Sequence, residues 1–298
     1  MKVLAIDIGG TFIKYAVVNN GIIEETWKKE TGDFVDDTAF YDYLCRNLDD
    51  VECGCIGISC PGIIGNDGTI LSKAAKNLHI LYHSNIVVEV RNRTKKMTYV
   101  LNDAHAAGYC EYSLGSGKGE ACAVYFIIGT GIGGCVCREN GIDVGASGML
   151  GEFSFLPWKN ETKEYGYYAH EAGIPNLVRY YNSYRKATDC TLGEEVFAAY
   201  QKKDSNAEKA FAKWSQDIAA GLLMITLMLA PDSISIGGAV SGQEEIIRLI
   251  KESYEEMKRR FLPDQHLATK IKTCQYKGQA NLIGAAEYAK QKFMEEQL

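Results

Sequence analysis

The sequence predicts an α/β protein built from two α/β domains. Two observations carry this. A strand, glycine turn, strand pattern opens the chain as MKVLAIDIGGTFIKY, and it returns about 120 residues later as ACAVYFIIGTGIGGCVCR. In each copy a Gly-Thr turn joins two apolar runs, and glycine there lets the backbone bend and present its N–H groups. The second observation is length: 298 residues are enough for two domains of ordinary size, one copy in each. The expected division is residues 1–114, then 115–279, with the last helix (280–298) packing back on the first domain.

Each element follows in order. Residues 2–30 read as three strands, the last from Ile22 after a turn at Asn20-Gly21. Residues 34–48 read as a helix. CGCIGISCPG, 53–62, is a buried strand running into a loop at Pro61-Gly62. Residues 63–85 are loop-rich. Ile86–Val90 and Met97–Leu101 read as strands, and a helix starts at Ala104. SLGSGKGE, 113–120, is a small polar linker. Strand 121–128, the second glycine turn and strand 135–138 follow, then a glycine-rich stretch over 141–157. Helical patterns cover about 166–184, 191–202 and 205–229. Ser233–Ile236 is a short buried strand ending in Gly237-Gly238. Helix 243–260, strand 269–273 and a final helix from Gln279 complete the chain. Leu282, Ala285, Ala286 and Ala289 mark one face of that helix.

Composition narrows the class. The chain is 46% hydrophobic and 23% charged, as soluble globular proteins are. A net charge of −6 argues against a nucleic-acid partner held by bulk electrostatics. Ten cysteines include no Cys-x-x-Cys pair. Cys53/Cys55 and Cys135/Cys137 would share strand faces, and they read as small core residues in a reducing compartment. A metal site would need four converging ligands. The longest uncharged apolar run, Ile218–Ala230, has thirteen residues, whereas a membrane span needs about 20. It reads as a buried helix. The N-terminus enters a strand at once, so no signal peptide is expected and the protein is expected to be cytoplasmic.

Several residues are placed to do chemistry. Asp7 precedes the first glycine turn. A carboxylate there could hold a metal ion, and the N–H groups of Gly9–Thr11 could hold a phosphate. The alternative is a plain hairpin with an aspartate in it. Two such hairpins facing each other across a cleft could hold a nucleotide's phosphates from both sides. Gly237-Gly238 ends a strand where a flat ring or a ribose could approach the backbone. Asp103 stands where a helix N-cap belongs, so capping is its alternative reading. For Glu152 the alternative is a solvated loop charge.

Three glycine motifs, IDIGGTFIK, FIIGTGIGG and ISIGGAVS, stand in this order. With GISCPGII, LNDAHAAGYCEY, GASGMLGEF and NLIGAAEYA, the chain resembles the sugar-kinase branch of the actin-like ATPases. The resemblance is strongest to the ROK family (repressors, open reading frames, sugar kinases) and spans about residues 4–298. It implies two actin-like (ribonuclease H-like) α/β domains with an interdomain active-site cleft, and closure of the domains over substrate. It implies transfer of the γ-phosphate of ATP to a hydroxyl, the 6-hydroxyl, of a hexose or derivative such as glucose, N-acetylmannosamine or a glycoside. In the resemblance, Asp103 matches the catalytic base, and Asp7 matches the residue that positions magnesium through water. Gly9, Gly10, Thr11 and Lys14 match the first phosphate loop. Gly129, Thr130, Gly131, Gly133 and Gly134 match the second, and Gly237 and Gly238 match the glycines beside adenosine. Asn77, Asn102 and Glu152 match sugar-binding groups. A homodimer is implied as well. The chemistry suits these residue types, because phosphoryl transfer to an alcohol needs a base near the hydroxyl and fixed donors around the phosphates.

The chain departs from the family in two respects. The family's Glu-x-Gly-His is here Glu152-Phe153-Ser154-Phe155, so Phe155 stands where a histidine is expected. Residues 157–175 contain no cysteine, so no zinc site is expected. The family's further sugar-binding glutamate has no clear match; His170 and Glu171 lie near its place, and Glu171 is the candidate, with a solvated helix charge as its alternative. An aromatic face at Phe155 would suit a glycoside, a disaccharide or an N-acetylated sugar. The same departure motivates an alternative function, a sugar-binding sensor with weak or no catalysis. No N-terminal helix-turn-helix arm is expected, which removes the DNA-binding repressor branch.

Overall fold

A computed structural model describes residues 1–73, 77–146, 148–159 and 164–298. Part of the expected 63–85 loop, and one residue of GASGMLGEF, lie outside the described residues. The chain forms two compact units. The first comprises Met1–Gly119, Gly141–Met149 and Gly278–Leu298; the second comprises Glu120–Asn140 and Leu150–Lys277. Glu111 folds the following turn back onto its helix: its carbonyl accepts from Gly115 and Gly117 N–H, and its carboxylate accepts from Ser116 N–H at 2.9 Å.

The elements run, in chain order, β1 (Lys2–Ile8), β2 (Phe12–Asn19), β3 (Ile22–Glu30), α1 (Asp37–Cys45), β4 (Cys55–Cys60), α2 (Ile86–Thr94), β5 (Met97–Asn102) and α3 (Asp103–Ser113). Then come β6 (Cys122–Ile128), β7 (Ile132–Arg138), β8 (Gly141–Ile142), β9 (Pro157–Lys159) and β10 (Tyr165–Tyr167). The chain continues with α4 (Tyr168–Ala172), α5 (Ile174–Arg185), α6 (Gly193–Gln201), α7 (Ser205–Leu229), β11 (Ser233–Gly238), α8 (Glu244–Phe261), β12 (Lys270–Thr273) and α9 (Ala280–Glu295).

In the first unit the sheet order is β3-β2-β1-β4-β5. β1, β4 and β5 are parallel neighbours, and β2 and β3 run antiparallel beside them. β1 and β4 are central and buried on both faces, which is why they read as continuous apolar runs rather than alternating ones. One face carries Leu4, Ile6, Tyr15, Phe40 and Tyr41. The other carries Val3 and Ala5 against Leu282, Ala286 and Ala289 of α9. Two glycines permit that close packing. A Cβ at Gly57 would overlap the Ala285 carbonyl, and one at Gly284 would overlap the Ala106 carbonyl. The helix therefore lies directly on the strands that carry the site.

In the second unit the sheet order is β12-β11-β6-β7, with β6, β11 and β12 parallel and β7 antiparallel to β6. Its core centres on Trp214, Phe211, Tyr168, Phe126 and Tyr254. The apolar run 218–230 lies mostly within α7, with Ile218, Ala219, Leu222, Leu223 and Ile225 buried. Among the described residues no helix is long and apolar enough to cross a membrane. All ten cysteines are free thiols, nine of them buried. Cys135 and Cys137 do share a strand face, their sulfurs 3.6 Å apart.

Three expectations about elements change. Residues 86–90 form the first turns of α2, not a strand. Their β-branched side chains favour strands, but Asn85 caps a helix there, its side chain accepting from Val88 N–H at 3.0 Å. The helix expected over 166–184 is broken at Gly173, where the backbone is extended between α4 and α5. A short antiparallel ribbon of β9 and β10 stands where only a loop and helix start were expected.

Candidate active site

In the first unit the candidate residues gather at the carboxyl ends of the parallel strands, where open α/β sheets bind ligands. The register makes this concrete. Asp7 lies opposite Ser59, and Cys60 lies opposite Asn102. Strand ends one residue apart thus bring Asp7, Asn102 and Asp103 to one edge, although they are distant in sequence. Cys60 sits among them. Burial pushes its thiol up, and the negative charges of Asp103 and Asp7 add to that.

Asp7 is 7% exposed and held on both oxygens. Ser59 Oγ donates to Oδ1 at 2.9 Å, and Asn281 Nδ2 donates to the same oxygen at 3.0 Å. Lys14 Nζ stands 3.3 Å from Oδ2. Motif reasoning missed Ser59 and Asn281. The signal was present, since both lie in GISCPGII and NLIGAAEYA, but nothing in the order of residues places position 281 beside position 7.

Asp103 is the first residue of α3, and Asn102 is the one that caps it. Asn102 Oδ1 accepts from His105 N–H at 2.7 Å. Asp103 Oδ1 accepts the short-range N–H of Ala104, at 2.8 Å. The capping alternative for Asp103 therefore fails, and its carboxyl stays at the surface. Loss of hydration raises its pKa above the ordinary aspartate value, with repulsion from Asp7 adding to it. The residue still reaches solvent, so water screens part of that effect. His105, two residues on, is buried, and desolvation lowers its pKa to about 4.

The Asn77 amide nitrogen donates to the carbonyls of Gly10 at 2.7 Å and Thr31 at 3.2 Å. It sits against the first glycine loop.

In the second unit the glycine turn Gly129–Gly131 joins β6 to β7. Gly129 N–H donates to Gly131 O, and Gly129 O accepts from Ile174 N–H at 2.9 Å, so the loop rests on the start of α5. Gly237 and Gly238 pair with Ile127 and Ile128 of β6. This places the third glycine motif beside the second one's strand. Gly238 has φ +84°, and a Cβ there would overlap the Ile128 carbonyl. Gly133 and Gly134 lie inside β7 rather than in the turn. At Gly134 a Cβ would strike Gly151 O and the Phe153 ring, so this glycine serves the seating of the Gly151–Phe153 segment.

Glu152 is half-buried and precedes a 3-10 turn, its carbonyl accepting from Phe155 N–H at 3.1 Å. Phe155 is 47% exposed and meets Tyr167 edge-on at 5.8 Å. Glu171 is neither a solvated charge nor open to solvent. It is 5% exposed and paired with Arg179 at 2.6 Å, and Arg179 also donates to Asn176. His170 packs its ring edge-on to Tyr167.

A magnesium ion takes oxygen ligands and keeps several of its waters. The Asp7 carboxylate beside a loop of backbone N–H groups suits such a water-mediated ion. Its two oriented donors fix the carboxylate plane, and Lys14, whose side chain is 47% exposed, has room to turn aside.

The chain is 27% identical over 299 residues to an N-acetylmannosamine kinase of Haemophilus influenzae (strain ATCC 51907 / DSM 11121 / KW20 / Rd), covering 97% of this chain and 96% of that protein. It is 27% identical over 292 residues to a beta-glucoside kinase of Listeria monocytogenes, covering 96% of each. The crystal structure of a ROK family glucokinase from Streptomyces griseus, in complex with glucose and AMPPNP, superposes with TM-score 0.78 at 25% identity, covering 98% of this chain and 100% of that one. The ROK family model matches residues 3–292, nearly end to end across both glycine loops and Asn102-Asp103, and the chain belongs to the ROK family.

Proposed function

We propose that this chain is an ATP-dependent sugar kinase that transfers the γ-phosphate of ATP to the 6-hydroxyl of a hexose or hexose derivative, with Asp103 as the base. The observation that carries the reading is the placement of Asp103. Its carboxyl is not spent on capping α3, its proton affinity is raised, and it shares a strand-end edge with Asp7 and the first glycine loop. Asp103 takes the proton of the attacking alcohol. A base with raised pKa does this better at neutral pH than an ordinary aspartate.

The remaining roles follow from chemistry. Backbone N–H groups of Gly9–Thr11 and Gly129–Gly131 hold phosphate oxygens in fixed positions, and Lys14 adds positive charge. Bound magnesium, held through Asp7 and water, would neutralise phosphate charge. Asn102 and Glu152 orient sugar hydroxyls. Gly237 and Gly238 leave room for adenosine against the backbone. Asn77 and Glu171 drop from the sugar contacts in this reading, because their donors and carboxylate already serve the protein. The protein works in the cytoplasm as a homodimer, without zinc and without nucleic acid.

The relatives act on N-acetylmannosamine and beta-glucosides by name, so these acceptors, with glucose, N-acetylglucosamine and fructose, make the first panel. ADP release is followed in a coupled assay with ATP and magnesium. Sugar-dependent release with at least one acceptor is expected. Release no faster than the sugar-free background across the panel would sink the kinase reading.

A further inference from the structure

The first glycine loop is held from behind by two residues that lie outside its motif. Thr31 Oγ1 donates to Gly9 O at 2.7 Å, Asn77 Nδ2 donates to Gly10 O at 2.7 Å, and Thr31 N–H donates to Thr11 O at 2.9 Å. Three successive carbonyls are thus pinned toward one side. Asn77 Nδ2 also reaches Thr31 O at 3.2 Å, which ties the two clamping residues together. Thr31 is 8% exposed, whereas Gly10 and Thr11 are exposed.

In a planar trans peptide the C=O of one residue and the N–H of the next point in opposite directions. Pinning Gly9 O and Gly10 O toward Thr31 and Asn77 therefore turns the N–H groups of Gly10 and Thr11 the other way, toward solvent. From this the structure assigns Thr31 and Asn77 as positioning residues of the phosphate loop, which fix two backbone donors for the phosphate oxygens of a nucleoside triphosphate before it arrives. Donors oriented in advance cost no reorganisation when charge is bound or develops. A glycine loop left unclamped would have to order itself on binding, because glycine loses more backbone freedom than any other residue. The role also explains why an asparagine stands at position 77, on the loop read from sequence as a sugar contact. Its two amide hydrogens meet two carbonyls that come from different segments.

This inference rests on the kinase reading only for the identity of the ligand. Binding is measured by calorimetry without any sugar, using ATP with magnesium, ADP with magnesium, and adenosine. Thr31→Val removes the hydroxyl at nearly constant shape, and Asn77→Ala removes the second donor. Each is expected to weaken ATP about ten-fold, the size of one lost hydrogen bond of good geometry, while adenosine changes by less than about two-fold. Thr31→Ser keeps the hydroxyl and is expected to restore ATP affinity. In turnover, KM for ATP rises more than KM for the acceptor.

Equal weakening of ATP and adenosine, or no weakening of either, overturns the assignment. So does an Asn77→Ala protein that loses acceptor affinity at saturating ATP with ATP binding intact. If Thr31→Val does not fold, as thermal melting would reveal, Asn77→Ala carries the test, since its hydrogen bond to Gly10 is at the surface. A protein that binds ATP through this clamp and yet releases no ADP with any sugar refutes the kinase and leaves the clamp standing.

Discussion

Asn281→Ala tests how the last helix serves the first strand. Asn281 lies in the first turn of α9 and donates to Asp7 Oδ1 at 3.0 Å, sharing that oxygen with Ser59 at 2.9 Å. Asp7 is 7% exposed, so water replaces the lost donor only in part. A hydrogen bond to a charged group contributes about 1.5–3 kcal/mol, and truncating to alanine leaves the carboxylate oxygen with one of its two protein donors. We expect a loss of about 2 kcal/mol in unfolding free energy, read as a lower urea midpoint with unchanged slope. Asn281→Asp should cost more, since it sets a second carboxylate where the amide stood. The pair Asn281→Ala and Asp7→Asn should couple, with the double variant less destabilised than the sum. An Asn281→Ala protein within about 0.5 kcal/mol of the parent, with additive double variants, would refute this account of Asp7.

Three further outcomes are expected. Asp103→Asn should lower kcat by about 100- to 10,000-fold, measured by ADP release. Because the folded-state pKa of Asp103 is raised, its ionisation opposes folding above that pKa, so Asp103→Asn should raise the melting temperature at pH 7; a gain that persists unchanged into acid would contradict the shift. His105 behaves in the opposite sense. Its pKa falls from 6.5 to about 4 on folding, so its neutral form stabilises the fold above pH 6.5 and that contribution fades as pH drops toward 4, about 3 kcal/mol in all. Urea melts at pH 7 and pH 4.5 should therefore show a smaller acid loss for His105→Gln than for the parent. Gly238→Ala should cost at least about 2 kcal/mol by thermal or urea unfolding, because φ is +84° and the new Cβ meets the Ile128 carbonyl.

What the sequence determined by itself is what local chemistry encodes. Apolar runs that end in Gly-Gly or Gly-Thr fix strands and turns, so β1, β6 and β11 were legible with their loops. So was the helix after Asn102-Asp103, because a capping residue announces it. Ile86–Val90 reads as a strand for the same kind of reason: β-branched residues favour strands, and the cap at Asn85 that decides for helix is one weak local signal against four. Tertiary structure alone decided which side chains meet. Parallel register sets Asp7 opposite Ser59, helix α9 brings Asn281 back across 274 residues, and Asn77 reaches the Gly10 carbonyl across 67. The partners of Glu171 and Asn77, Arg179 and the Gly10 and Thr31 carbonyls, are set by three-dimensional proximity, which spacing along the chain does not encode. Glycines in an open turn, such as Gly129, and glycines that permit close packing, such as Gly57 and Gly284, look alike in sequence. They separate only when the atoms a Cβ would strike are known.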